Sequence, residues 1–418
     1  MNLHGHLHKG LPPVDGELDL AAAGACGWRA LDGDLWFPVL VLKEAALRHN
    51  QDVMTRYCAA RGVRLAPHGK TTMSPQLIRR QLDGGAWGIT AANPTQARAM
   101  RAFGATRVVI ANQVPDPAGI RWIAREMAEH PGAEILSLVD SEAGVEILHE
   151  ALDGVSGVRL PVLVEMGIQG QRTGCRTVEE GHRVAAAVRR APGLRLAGVE
   201  GFEGVLGHDP TPEILSRVDA FLGDMRRLTD ELAAQGAFAD TPEILVTAGG
   251  SAYFDRVVAT LGSGWDLDRP VALVLRSGCY LTHDHGDYGP VSPLGSRDPD
   301  WPQLHPALEV WGLVHSRPEP GLALVGFGKR DVSYDVALPV PLWARDRRGG
   351  VRQAPAGMAI TRLNDQHAFV RVPEDDPLAV GDRLGCGLAH PCTVFDKWRV
   401  IPVVDESYRV VEVVETAF

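Results

Sequence analysis

The sequence predicts an α/β protein, a TIM-type (β/α)8 barrel followed by an all-β C-terminal domain. Three observations lead there. From about residue 60 to residue 280, short β-branched apolar runs alternate with amphipathic helical stretches, the rhythm of parallel strands joined by helices. Eight such runs can be counted, which fits a closed barrel; a doubly wound open sheet reads almost the same locally, and the count decides between them. After Gly278 the texture changes to Gly-, Pro- and Asp-rich turns between short apolar runs, with helical periodicity nearly gone.

In chain order, residues 1–35 read as an N-terminal extension packed on the surface or on a partner subunit. Trp36 to Leu42 reads as a strand feeding a helix from about Lys43 to Ala60. It is one strand too many for the barrel, so within the 36–280 stretch it is assigned to the β-domain. The barrel strands are expected at Val63–Pro67, Ala86–Thr90, Arg107–Ala111, Glu134–Val139, Pro161–Glu165, Leu194–Val199, Glu243–Thr247 and Val271–Leu275. Helices are expected between them, as at Pro94–Phe103, Ser141–Ala151 and Pro212–Gln235; Pro94 and Pro212 suit a first helical turn. Residues 281–418 form the β-domain, with strands near Leu308–Val314, Leu322–Gly326, Ala368–Val372 and Tyr408–Val414. No internal repeat or low-complexity tract interrupts this pattern.

Composition narrows the function. A length of 418 residues suggests two domains, and 45% hydrophobic residues supply their cores. A formal charge of -10 gives no general attraction to nucleic acid or anionic membrane. No apolar run approaches the roughly 18 residues needed to cross a bilayer. The start, Met1 to His6, lacks the features of a signal peptide, so a cytoplasmic protein is expected. Six scattered cysteines, Cys26, Cys58, Cys175, Cys279, Cys386 and Cys392, are too sparse for a disulfide scaffold and are read as thiols.

Barrel enzymes carry their chemistry in loops at the C-terminal strand ends. The first strand leads into His68-Gly69-Lys70-Thr71-Thr72, bringing Lys70 to the barrel mouth; alone, a solvated lysine would read the same. The fifth leads into a glycine-spaced loop from Glu165 to Gly174, whose Arg172 suits an anion. The seventh ends in Ala248-Gly249-Gly250-Ser251 ahead of a helix. Such N–H groups cradle phosphate, and this fold customarily binds phosphate after strands seven and eight. A plain helix cap at Ser251 is the alternative. The eighth strand gives Arg276-Ser277-Gly278-Cys279-Tyr280, adding a cation and a phenol to the same rim.

An amine facing a phosphate cradle is what pyridoxal 5'-phosphate requires, one for the Schiff base and the other as anchor. At these residues the chain resembles a known family. "FPVLVLKEAALRHNQDVMTRYCAARGVRLAPHGKT" from Phe37 to Thr71 and "GIQGQRTG" at 167–174 resemble the alanine racemase-type barrel, fold type III of the pyridoxal phosphate enzymes. "LNDQHAFV" at 363–370 and "GDRLGCGLAHPCTVFDKW" at 381–398 resemble the β-domain of D-serine dehydratase-like and D-threonine aldolase-like proteins. The resemblance covers most of the chain after about residue 36. It implies Lys70 as the Schiff-base lysine, with Arg172, Gly249, Gly250, Ser251, Arg276, Gly278 and Tyr280 around the cofactor.

His390-Pro391-Cys392 is a second constellation, because residues i and i+2 of an extended segment point to one side. Imidazole with thiolate suits Zn²⁺, with Mn²⁺ or another divalent ion also open; read blind, a buried cysteine near a histidine is more often plain core. The resemblance implies a divalent metal on His390 and Cys392 at the subunit interface of a homodimer. His283-Asp284-His285-Gly286-Asp287 also has ligand chemistry but is read as a solvated turn between domains. His367 stands open between a place near the metal and a structural role. His68, Asn93, Gln113, Glu203 and His208 lie near strand ends, where site, helix caps and loop hydrogen bonds all use such residues.

The resemblance implies a small β-hydroxy D-amino acid as substrate: D-serine-like, D-threonine, 3-hydroxyaspartate or D-glucosaminate. Lys70 would remove the α-proton, and loss of the β-hydroxyl would give a keto acid and ammonia, a dehydratase or deaminase reaction. Retro-aldol cleavage uses the same parts, but aldolases of this group carry His-x-Asp where this chain has His390-Pro391-Cys392, so the cysteine favours elimination. An amino acid racemase needs a second base and no metal pair. A non-catalytic pyridoxal phosphate homeostasis protein lacks the metal-bearing β-domain. The chain departs from the common "RPHxKTHK" pattern: Ala66 replaces the arginine and Thr72-Met73 the histidine and lysine, which points away from simple D-serine.

Overall fold

The computed structural model describes residues 2–4, 8–12, 17–155 and 157–418. Eight parallel strands form one sheet: β1 (Arg64–Leu65), β2 (Ile89–Ala91), β3 (Arg107–Gln113), β4 (Glu134–Val139), β5 (Leu160–Met166), β6 (Leu194–Gly201), β7 (Ile244–Ala248) and β8 (Val271–Leu275). Their order is β1-β8-β7-β6-β5-β4-β3-β2. The two ends meet: the Trp87 N–H donates to Leu65 O at 2.7 Å, that of Thr90 to Pro67 O at 2.9 Å, and His68 bridges to Thr90. The sheet therefore closes into the expected barrel. Ala66, Val109, Leu136, Leu163, Leu245 and Val274 fill its interior, while alternate residues pack outward beneath the helices.

The helices start where local chemistry dictates. Side chains of Ser74, Asn93, Asp116, Ser141, Thr177 and Thr211 each accept from a first-turn N–H, and proline follows directly at four of these caps. Asn93 is thus a cap rather than a site residue.

The Val39–Lys43 strand runs antiparallel to β9 (Leu308–Glu319), inside the β-domain. That domain continues through β10 (Leu322–Val325), β11 (Val340–Arg345), β12 (Val351–Gln353), β13 (Ala359–Leu363), β14 (Ala368–Arg371), β15 (Arg383–Gly387), β16 (Val400–Val404) and β17 (Val410–Glu415). The N-terminal segment is not a surface attachment. Leu11, Leu20, Ala23, Ala30, Leu31 and Leu35 are buried against Val39, Trp311, Val404 and Val410, because these six apolar side chains complete a small second core. Residues 5–7 and 13–16 of the extension lie outside the described residues. No helix among the described residues is long and apolar enough to cross a membrane.

One junction positions the site. The 3-10 turn Gly69–Thr71 after β1 packs on the 3-10 turn Pro391–Thr393 of the β-domain, so barrel mouth and β-domain share a wall.

Candidate active site

A cavity of about 650 Å³ opens at the C-terminal ends of the barrel strands, within the size range of cofactor sites. Lys70, Arg172, Gly249, Gly250, Ser251, Arg276 and Gly278 all line it, as do His390 and Cys392 from the β-domain. The chain has only five lysines. Lys9, Lys329 and Lys397 surround a separate depression, Lys43 lies over the Tyr408 ring, and Lys70 alone reaches this cavity.

The loops approach closely. A Cβ on Gly278 would lie 2.6 Å from His68 O, so the segment after β8 can pass the Lys70 loop only as glycine. Gly249 adopts φ +102°, turning the chain after β7 toward helix α8 (Phe254–Leu261; α1–α7 precede it at Glu44–Arg61, Pro75–Asp83, Pro94–Ala102, Pro117–Glu129, Glu142–Ala151, Val178–Arg190 and Pro212–Ala234). The Gly249 and Gly250 N–H groups donate to the buried Glu203 carboxylate at 3.1 and 2.7 Å. They are therefore held by the protein, and Ser251 and Ala252 continue the cavity lining between them and α8.

Beneath the cavity, Arg276 pairs with Glu200 and donates to Thr247 Oγ1 at 2.9 Å. Burial pushes the Glu200 carboxyl up, while the Arg276 guanidinium pulls against it. Glu200 Oε2 and His68 Nδ1 are buried without a protein partner. Burial, then the neighbouring Lys70 and Arg276 charges, hold His68 well below the ordinary histidine range, so its ring is neutral. The Lys70 amine, the Gly249–Ala252 turn ahead of a helix and the unpartnered polar atoms of His68 and Glu200 around this cavity fit pyridoxal phosphate. Replacing Arg276 by methionine leaves the Glu200 carboxylate buried and uncompensated, with an expected stability loss of about 3–5 kcal/mol. Denaturant unfolding checks this, and the R276M/E200Q double variant should recover part of the loss.

His390 and Cys392 meet at the edge of the cavity. His390 Nδ1 lies 2.5 Å from Asp335 Oδ2, which leaves Nε2 as the nitrogen toward Cys392. Thr393 Oγ1 donates to the other Asp335 oxygen at 2.9 Å. Hydrogen bonding to Cys392, with Asp335 behind it, raises His390 to about 9. The Cys392 thiol is lowered, first by the Cys279 hydrogen bond and further by His390 and Thr71, against the effect of burial. A thiolate beside an imidazole is a soft donor pair. Among the described residues no three His, Cys, Asp or Glu side chains gather as a complete ligand set. His390 and Cys392 are the two residues at this edge with metal-ligand chemistry. Asp335→Asn is expected to weaken metal affinity by about 10- to 100-fold, as measured by chelator competition, with the fold unchanged.

Some expected residues lie elsewhere. Tyr280 is buried away from the cavity and its phenol hydrogen-bonds Gln81, because successive side chains leave the backbone on opposite sides and Cys279 takes the inner one. The His283–Asp287 turn is buried rather than solvated. Asp284 Oδ1 accepts the N–H groups of Gly286, Asp287 and Tyr288, replacing water beneath the β-domain. His367 is exposed on a β-hairpin, its ring 6.3 Å from that of His315, and does not line the cavity. Gln113 is off the cavity lining and donates to Glu165 Oε2 at 2.5 Å, whereas exposed His208 does line the cavity and sits against Asp287. Asp335, Glu200 and Cys279 were not legible as site residues. Asp335 lies 55 positions from its histidine, and no local pattern marks it.

Barrel, lysine and cradle together define a fold type III enzyme of the pyridoxal phosphate class. Residues 42–260 match the family described as alanine racemase, N-terminal domain, and the chain belongs to that family. Residues 307–404 match a serine dehydratase domain. The 3-hydroxy-D-aspartate aldolase of Paracoccus denitrificans (strain Pd 1222) is 28% identical, over 88% of this chain and 89% of the relative. A crystal structure of D-threonine aldolase from Filomicrobium marinum is similar with a TM-score of 0.72 at 25% identity, covering 92% of this chain and 95% of that one. D-threo-3-hydroxyaspartate dehydratase from Delftia sp. HT23 shares the fold, with a TM-score of 0.70 at 21% identity over 92% of this chain and 98% of that one.

Proposed function

We propose that the protein is a pyridoxal phosphate- and divalent metal-dependent lyase acting on a β-hydroxy D-amino acid, and that it works by β-elimination to a keto acid and ammonia. The observation that carries this reading is one cavity holding Lys70 on the barrel side and His390 with Cys392 on the β-domain side. When bound, the cofactor ring would delocalise charge developing at the α-carbon, and the metal would polarise the β-oxygen. Lys70 Nζ takes the α-proton as general base. Arg172, stacked on Phe202 at 4.5 Å at the cavity mouth, holds an anionic group. Neutral His68 adds no second positive charge beside Lys70. Glu200 fixes Arg276 under the ring position. His390 and Cys392 would hold the metal, with Asp335 fixing the His390 ring orientation.

The names of similar proteins include both aldolases and a dehydratase, so retro-aldol cleavage is the second reading. Elimination is favoured by the thiolate at Cys392. Further support comes from a similar structure of the dehydratase, a cysteine-to-alanine mutant in a metal-free form. The reading includes a homodimer, supported by Tyr334, Val336, Val340 and Trp343, which expose apolar surface beside Asp335. The deciding experiment incubates holoenzyme with D-serine, D-threonine, D-threo-3-hydroxyaspartate and D-glucosaminate, with and without EDTA. Chelator-sensitive ammonia release is expected. Aldehyde with glycine would replace elimination by the aldol reading, and chelator-indifferent racemisation would overturn both.

A further inference from the structure

We propose that Cys279 and Cys392 form a reversible oxidative modification site in the cavity wall. Their sulfurs lie 3.6 Å apart although 113 positions separate them in the chain. Cys279 sits in the segment after β8 that Gly278 holds against His68, and Cys392 belongs to the β-domain turn Pro391–Thr393. The domain junction therefore creates the pair. Thr71 Oγ1 lies 3.2 Å from Cys392 Sγ and 3.9 Å from Cys279 Sγ, fixing both from the Lys70 loop. Both cysteines line the cavity, with Cys392 the more exposed of the two, so a small oxidant reaches it through the substrate entrance. Cys58, Cys175 and Cys386 are buried in the hydrophobic core and Cys26 lies exposed in the N-terminal segment.

A disulfide has an S–S length of about 2.05 Å, so the sulfurs need to close by about 1.5 Å, within reach of side-chain rotation and a small shift of the turn. The oxidant is hydrogen peroxide. The Cys392 sulfur attacks one peroxide oxygen; the O–O bond breaks, giving sulfenic acid, and the departing hydroxide leaves with the Cys392 proton as water. The Cys279 sulfur then attacks the sulfenic sulfur. The S–S bond forms, the S–O bond breaks, and hydroxide leaves with the Cys279 proton as a second water. Two thiols are oxidised and one peroxide is reduced. On the metal reading above, the disulfide removes one of two protein donors, so oxidation releases metal and bound metal protects the thiols.

The test uses the full-length cofactor-loaded protein, stripped with EDTA or loaded with Zn²⁺, exposed to hydrogen peroxide, alkylated and peptide-mapped by mass spectrometry. The expected product is a Cys279–Cys392 linked peptide lighter by two hydrogens and reversed by dithiothreitol. In Cys279→Ser, Cys392 should instead proceed to a sulfinic acid that dithiothreitol does not reverse. The inference is overturned if the wild-type protein returns both thiols alkylated, or carries sulfinic acid at Cys392 with Cys279 free. A linked peptide that forms equally fast with and without Zn²⁺ supports the modification site and counts against the metal assignment alone.

Discussion

Lys70→Ala is expected to lower turnover by on the order of 10³-fold while the folded protein still binds pyridoxal phosphate. Two functions go at once. The Schiff-base amine is lost, and so is the general base, which by itself is worth about 10²- to 10⁴-fold. Since Lys70 alone among five lysines lines the cavity, no other amine can substitute. Borohydride reduction should fix the cofactor to the wild-type chain at this residue and leave the variant unlabelled. The imine absorbance should vanish with it, and a small exogenous amine should restore part of the rate. Labelling of the variant at another lysine, or turnover within about ten-fold of wild type, would remove the foundation of the proposed mechanism.

Removing the metal donors should have the next largest effect. A divalent ion contributes several kcal/mol to charge stabilisation at a leaving oxygen. Loss of that contribution corresponds to about 10²- to 10³-fold in rate. EDTA treatment, His390→Ala and Cys392→Ala should each produce a drop of this size, and added Zn²⁺ or Mn²⁺ should rescue only the chelated wild type. Metal analysis separates this from misfolding: the variants should retain cofactor and thermal stability but lose bound ion. His390 lies partly exposed at the cavity edge, so its truncation leaves no large void. Full activity in metal-free protein would instead place the pair in a structural role.

Much of this arrangement was legible before any coordinates. Short β-branched apolar runs and amphipathic helical stretches located the strands and helices within a few residues, because burial on both faces of a parallel sheet and capping at helix starts leave local marks. Lys70 was legible because it follows a strand directly, and His390 with Cys392 because the spacing is local. Tyr280 was misplaced because one residue of alternation decides between cavity and core. The His283–Asp287 turn looked solvated because its composition is polar, yet Asp284 supplies the hydrogen bonds that water would otherwise make. Glu203 was noticed but not as the acceptor for Gly249 and Gly250, a contact spanning 46 and 47 positions.

The sequence by itself determined the barrel and the all-β second domain, and it placed Lys70 at a strand end and His390 two positions from Cys392, since each is written in short-range pattern. Only the tertiary structure decided that Lys70 and Cys392 share one cavity, that Asp335 orients His390, and that Cys279 touches Cys392. Those pairings are set by how the Pro391–Thr393 turn docks on the Gly69–Thr71 turn. Docking depends on surface shape and burial summed over two domains, and residues hundreds of positions apart carry no periodic signal of one another.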